Sequence, residues 1–315
     1  MNYNQYAPGS HKLIHHLNHL DKLVKGEVVA PIHVSIWPTV LCQRTCDYCC
    51  CMEHVNKTAP EFNHLDWVSF KTAIDVLAKY GTKAIEFSGG GEPTLWKHFE
   101  DGVRYVHSKG IKLSLITNGL RFHKISPDVL EMFQWIRVSL HYMDHAYKEI
   151  KWEFVPSNVN VSCSYIITKT ENRNILNELS EFGDKTNKVV RIGMARPCSV
   201  QEENEMESDV LSVGGSLMFS RKTPGSPKSC YMAWVRAAIT WDGDFLPCPS
   251  IQLTDEYKGK IPKSFKVCHV RNLEEWLNEN TIRDLGYRCK FCNCGKENND
   301  LIYDLLNGGE DVDFV

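Results

Sequence analysis

Six short β-branched runs, each followed by an amphipathic stretch, constrain this chain more than any other feature of its sequence. They are residues 31–37 (PIHVSIW), 83–89 (KAIEFSG), 112–118 (KLSLITN), 135–142 (WIRVSLHY), 160–168 (NVSCSYIIT) and 189–195 (VVRIGMA). Runs of this length and composition predict strands. Behind the first, Trp67, Phe70, Ile74 and Leu77 recur at helical spacing after Asp66, a residue type that caps helix N-termini. Ser126-Pro127 opens another helix with proline at its first position. Strand and helix alternating six times requires parallel pairing with right-handed crossovers, so the expected class is α/β, with a sheet either curled or open. In such sheets the chemistry gathers in the loops beyond the C-terminal strand ends. Here a cysteine loop follows the first strand, SGGGEPT the second and TNG the third.

The character changes after about residue 200. The run Glu202 to Ser208 (EENEMES) reads as an acidic loop, and residues 223–229 (TPGSPKS) read as a linker. This predicts a helical extension over 1–30, a main unit over 31–219 and a smaller unit over 220–315. A length of 315 residues with 43% hydrophobic content is enough for one large core and an appended unit. The formal charge is −3, and no block of like charge forms the basic stripe that tracks a phosphate backbone, which leaves nucleic acid unsupported as a partner. No apolar stretch approaches a membrane span, and the first twenty residues lack the core of a signal peptide, so a cytoplasmic, non-membrane protein is expected.

Eleven of the thirteen cysteines bunch at 42–51 and again at 230–294, which in such a setting points to metal or redox chemistry rather than to disulfides. Cys42, Cys46 and Cys49 put three thiols in one short loop, enough to cap three irons of a cuboidal cluster and leave the fourth iron open. Zinc normally wants four ligands at Cys-x2-Cys-type spacing, which this triad does not supply. Gly89-Gly90-Gly91-Glu92-Pro93 stands at the end of the second strand, where glycines permit close approach to the main chain and a carboxylate can accept from an ammonium group.

The Cys-x3-Cys-x2-Cys spacing, with aromatic Tyr48 before the third cysteine and GGE about 40 residues on, resembles the radical S-adenosylmethionine (SAM) superfamily. That resemblance implies a partial (β/α)6 parallel barrel with a four-iron four-sulfur cluster on Cys42, Cys46 and Cys49. It implies that SAM is chelated by the open iron and cleaved to methionine and a 5′-deoxyadenosyl radical. Carried over residue by residue, it assigns SAM contacts to Tyr48, Gly90, Gly91 and Glu92, with Glu92 on the methionyl amino group. It further suggests Thr117, Asn118, Ser139 and His141 for the ribose and carboxylate, with Arg137 beside Ser139 and with Met194 and Ala195 near adenine. The bland alternatives are barrel-lining polar residues and, for Met194, plain core. Cys50 and Cys51 receive no role.

Cys230, Cys248, Cys289 and Cys292 can close around one further centre, since WDGDF between WVRAAIT and FLPC reads as a hairpin turn that brings the first two together. Four thiolates suit either a second cluster or zinc. The spacing of Cys230, Gly243 and Cys248 resembles the SPASM/twitch extension of the family, in its short twitch form. That likeness implies a small cysteine-rich C-terminal domain with one auxiliary four-iron four-sulfur cluster. Cys268 and Cys294 compete for the third and fourth positions.

The implied reaction is hydrogen abstraction from an unactivated C–H of a small polar or peptidyl substrate. Net oxidation (dehydrogenation) is the leading outcome, with epimerisation, rearrangement or crosslinking as alternatives. A flavodoxin or ferredoxin would supply the electron. An epimerase would need a hydrogen-donating thiol, for which Cys198 is the choice over Cys163, each having a structural role as its alternative. His11, His15, His16 and His19 are expected on a solvated helix face, and the acidic tail at 310–313 as a frayed end. A structural zinc module without enzymatic activity is the competing class.

Overall fold

All six predicted strands form, each within a residue or two of its expected bounds: β1 (His33–Ile36), β2 (Ala84–Phe87), β3 (Lys112–Thr117), β4 (Phe133–Leu140), β5 (Val161–Ile167) and β6 (Val190–Met194). The computed structural model describes residues 10–57, 63–168, 171–195, 198–221, 226–250, 261–287, 289, 292 and 296–307. Four more strands complete the sheet: β7 (Leu217–Phe219), β8 (Arg236–Ile239), β9 (Asp244–Leu246) and β10 (Cys268–His269). The order is β10-β9-β8-β1-β2-β3-β4-β5-β6-β7. Pairing is parallel from β8 through β7, whereas β9 and β10 are antiparallel additions. WVRAAIT thus opens the expected hairpin, and its strand β8 also extends the parallel sheet along β1.

Side chains divide between the two faces of this sheet. Val34, Ile36, Ile85, Phe87, Leu113, Leu115, Ile136, Val138, Val190 and Ile192 are buried in one apolar core with the helices. The alternate positions carry Ser35, Glu86, Ser114, Arg137 and Ser162. Arg137 on β4 feels the charges of Glu86 on β2 and of Arg236 on β8. In a flat sheet β4 and β8 would lie about 19 Å apart, so the sheet is curled, with its polar face lining the inside of a partial barrel.

The helices are α1 (Leu17–Val24), α2 (Trp67–Lys79), α3 (Phe99–Ser108), α4 (Pro127–Glu131), α5 (Ile175–Thr186), α6 (Val200–Val213), α7 (Leu273–Glu279) and α8 (Lys296–Asn307). Asp66 caps α2 by accepting from the Ser69 N–H at 2.9 Å, as its position predicts. Residues 202–208, expected as an acidic loop, lie instead inside α6. Ser199 and Glu202 form a reciprocal capping box, and Glu203, Met206 and Val210 turn one face inward. The charge of the segment conceals that spacing.

His19 is likewise not on a solvated face. Its Nε2 lies 2.9 Å from the Trp234 carbonyl, and burial drives its pKa down to about 4. The first turns, Ser10–His16, are 3-10 helix, so the i, i+4 alignment of the histidines does not apply there. Leu13, Leu20 and Leu23 anchor this N-terminal stretch to the core. The segment around α7 docks on α2 through Lys79 with Glu274 (2.6 Å) and Arg271 with Ser69 (2.9 Å). Among the described residues no helix is long and apolar enough to cross a membrane.

Candidate active site

The cysteine loop leaves β1 at the C-terminal edge of the sheet and runs beside the glycines that follow β2. Gly91 N–H donates to the Thr39 carbonyl and Glu92 N–H to the Leu41 carbonyl, both at 2.7 Å. A Cβ on Gly91 would stand 2.1 Å from the Leu41 oxygen, and one on Gly90 2.5 Å from the Thr39 oxygen. The close approach these glycines permit is to the chain's own backbone just before Cys42.

Glu92 is 2% exposed. Its Oε1 accepts from Thr117 Oγ1 (2.6 Å), Thr94 Oγ1 (2.7 Å) and the Thr94 N–H (3.2 Å), and its Oε2 accepts from the Asn118 N–H (2.7 Å). Burial raises its pKa, and these donors work in the opposite direction. Oε1 is filled, whereas Oε2 keeps room for another donor. Thr117 is thus committed to Glu92. Asn118 faces the cysteine loop, with Nδ2 3.1 Å from Gln43 Oε1 and 4.0 Å from Cys42 Sγ.

Donors also surround the thiols. Arg44 N–H and Cys51 N–H each lie 3.4 Å from a sulfur, of Cys42 and Cys49 respectively. The Tyr48 hydroxyl bonds both Cys46 and His141 Nδ1, the latter at 3.1 Å, which ties the loop to the end of β4. Burial pushes Cys42 up to about 11, while a hydrogen bond with the Cys51 thiol draws Cys49 down to about 7. Three half-buried thiols that act on one another and receive N–H or O–H donors suit a cluster on which negative charge resides. Ser139 lines the inside of β4 two residues before His141.

Two anchors were missed in the sequence. Asn56, in the left-handed region at φ 56°, accepts from the Cys42 N–H (3.0 Å) and donates to the Cys42 carbonyl (2.9 Å). An exposed asparagine fourteen residues away carries no sequence signal for this. Arg44 lies within the motif itself. Its guanidinium bonds Glu149 and His145 (2.6 Å) and lies over the Tyr142 ring, 5.4 Å from its centroid. Glu149 and His145 belong to a π-helical turn, His145–Glu149, a geometry found often at functional sites.

The second cysteine group is assembled in part. Cys289 and Cys292 act on Cys230, whose thiol is pushed up to about 12, chiefly by burial. Cys248 and Cys289 pack against one apolar group built on Trp37, Trp241 and Leu246. The Ser250 N–H donates to Cys248 Sγ at 3.3 Å, and Asn299 Nδ2 lies 3.9 Å from Cys292 Sγ. Cys268 has Asp244 and Lys266 as its charged neighbours instead. Cys294 lies outside the described residues. Among those residues no three Cys, His, Asp or Glu side chains are gathered at single-ion distances.

Cys163 is fully buried on the helix-facing side, and Met194 packs in the same core. Cys198 packs at the edge of that core just before α6.

Residues 36–152 match the Radical SAM superfamily model. The matched segment, which holds the three-thiol loop, the buried Glu92 and strands β2 to β4 of the curled sheet, is a radical SAM domain. The chain is 35% identical over 111 residues to the S-adenosylmethionine-dependent nucleotide dehydratase of Selenomonas ruminantium, over 34% of this chain and 38% of that protein. The chain thus spans well under half the length of that relative. In fold it is similar to Streptococcus suis SuiB bound to S-adenosylmethionine (TM-score 0.52, 17% identity, 76% of this chain and 65% of that one). It is also similar to native anSMEcpe with bound AdoMet (TM-score 0.55, 12% identity, 88% of this chain and 96% of that one). At these identities the likeness is one of fold.

Proposed function

We propose that this chain cleaves SAM reductively at a four-iron four-sulfur cluster on Cys42, Cys46 and Cys49, and oxidises a small polar or peptidyl substrate after hydrogen abstraction. The observation that carries this reading is Glu92, a buried carboxylate with Oε1 saturated and Oε2 able to accept from the SAM ammonium group, beside a three-thiol loop. When bound, the cluster supplies the electron that splits SAM into methionine and a 5′-deoxyadenosyl radical.

The chain's own residues position and exclude. Thr94, Thr117 and Asn118 fix the Glu92 carboxylate, and Asn118 also steadies the loop through Gln43. Tyr48 and His141 form a wall from the third cysteine to β4, and Ser139 lies two residues below on the same face. Cys230, Cys248, Cys289 and Cys292 would hold an auxiliary four-iron four-sulfur cluster that takes the second electron of the oxidation. The 220–315 region is then a twitch-like unit, and a cytoplasmic flavodoxin or ferredoxin the source of the first electron.

Dehydration is the second reading, favoured by the identity with a nucleotide dehydratase. Product mass separates the two: oxidation removes two hydrogens, dehydration the elements of water. The test is anaerobic reconstitution with iron and sulfide, metal analysis, and 5′-deoxyadenosine release with dithionite and SAM. About eight irons per chain and nucleoside release fit both clusters. About four irons with one zinc remove the auxiliary acceptor and disfavour oxidation. No iron and no SAM cleavage overturn the proposal and leave a zinc module.

A further inference from the structure

The crossover from β4 to β5 is the one in the parallel run β1 to β7 that carries no α-helix. Helices α2, α3, α4, α5 and α6 fill the others, whereas residues 141–160 contain only the π-turn His145–Glu149 and a 3-10 turn, Trp152–Phe154. A helix lays a continuous apolar stripe on a sheet, and short turns cannot. Here Trp152, Val155, Val159 and Val161 pack against the core but stay half-buried. Between them and the turn that follows α5 lies a cavity of about 400 Å³, a size that suits a single-ring ligand.

The turn after α5 supplies the cavity's cation. Lys188 Nζ donates to the Thr186 carbonyl at 3.1 Å and lies over the Trp152 ring, 5.1 Å from its centroid, and among the described residues no carboxylate pairs with it. Ser162, 3% exposed, also lines the cavity, and its Oγ has no hydrogen-bond partner among the described residues. Buried hydroxyls normally find a partner, so this one has capacity for a ligand oxygen. Apolar walls and one cation match the two ends of a small aromatic acid, with its ring against Trp152, Val155 and Val159 and its carboxylate on Lys188.

The cavity is separate from the SAM site. Val161 opens β5, and Tyr165, in register with Leu140 beside His141, follows four residues later, about 13 Å along the strand. Trp152 nevertheless joins the two regions. Its Nε1 donates to the Ala146 carbonyl at 2.7 Å, inside the π-turn whose His145 and Glu149 hold Arg44 of the cysteine loop.

We infer that this cavity is an effector site for a small aromatic carboxylate, whose occupancy steadies the cysteine loop through Trp152 and the π-turn. The coupling, though not the binding, rests on the proposed cluster.

The test is calorimetric titration of the full chain with phenylacetate, phenylacetamide and acetate. Phenylacetate should bind about 10-fold more tightly than either, since the amide lacks the charge and acetate the ring. Lys188→Gln should weaken phenylacetate about 10-fold, and Lys188→Arg should recover part of it. Ser157 is exposed on the cavity wall, so Ser157→Trp fills the space without entering the core and should abolish binding in a folded protein. In the reconstituted protein, saturating phenylacetate should slow iron loss to a chelator about 2- to 5-fold. Trp152→Phe keeps a ring but not the N–H, and should remove that effect while phenylacetate still binds. Phenylacetamide binding as tightly as phenylacetate, or phenylacetate affinity unchanged in both Lys188→Gln and Ser157→Trp, overturns the site. Iron loss indifferent to saturating phenylacetate overturns the effector role. Calorimetry needs neither iron nor SAM, so binding by a chain that loads no iron would refute the proposed cluster and not the site.

Discussion

Gly91→Ala is the sharpest perturbation of the loop that carries the cysteine triad. The added Cβ would stand 2.1 Å from the Leu41 oxygen and 2.6 Å from the carbonyl carbons of Val40 and Leu41. Ordinary contact needs about 3.3 Å, so one backbone must retreat by about 1 Å, and neither is a side chain that can swing aside. The retreat stretches the 2.7 Å bonds from Gly91 N–H to Thr39 and from Glu92 N–H to Leu41. Two such bonds contribute about 1–3 kcal/mol, and overpacking costs about 1–3 kcal/mol more. We expect about 2–5 kcal/mol of lost stability in urea unfolding of the metal-free protein, with lower iron uptake because Cys42 moves with the loop. If Gly91→Ala unfolds and loads iron like the parent but loses SAM affinity, the glycines serve ligand approach and the backbone argument fails.

Thr117→Val keeps the shape of the side chain but removes the 2.6 Å bond to Glu92, and should weaken SAM binding about 10-fold or more in calorimetry of the reconstituted protein. Asn56→Ala removes both bonds to the Cys42 peptide and an unusual φ suited to asparagine; urea melts should show a loss of about 1–3 kcal/mol. Arg44→Lys keeps the charge but not the fork that spans Glu149 and His145, so iron should leave faster on chelator challenge, followed by absorbance. His19, held near 4 against the usual 6.5, takes up a proton on unfolding. Its contribution is intact above pH 6.5 and declines as pH falls from there toward 4, by about 1–3 kcal/mol. His19→Gln should flatten that acid slope in urea melts taken across the range.

The parallel core was legible because its signal is local. β-branched runs and helical spacing repeat six times, and each expected strand is present. β7 was not legible: Leu-Met-Phe is too short to show a period, and it gains its place by pairing with β6 after α6 returns the chain. α6 itself was concealed by glutamates, although Ser199 and Glu202 carry a capping signature that a reading weighted toward charge passes over. In the site, the cysteines, Gly90, Gly91 and Glu92 stood out as motifs. Thr117 and Asn118 were named as contacts to SAM; Thr117 also donates to Glu92, a pairing that arises only when β2 and β3 end side by side. Asn56 and Glu149 act on the loop from 14 and 105 residues away, and no short pattern encodes that reach.

These anchors explain how a segment without regular structure can hold three thiols in a fixed constellation. The region from Cys42 to Cys51 is turns and bends, which alone would sample many conformations at about 1–2 kcal/mol of entropy per ordered residue. It is pinned to the end of β2 by the glycine contacts, to β3 by Asn118 with Gln43, to β4 by Tyr48 with His141, and to the π-turn by Arg44. Each fastening is polar and lies at the strand ends, whereas the opposite face of the same strands is almost wholly apolar. Stability and chemistry therefore draw on different faces of one sheet. A variant on the helix side should change unfolding before it changes SAM binding, and one at the strand ends the reverse. Gly91 departs from that division, because there the loop's position is itself a matter of backbone packing.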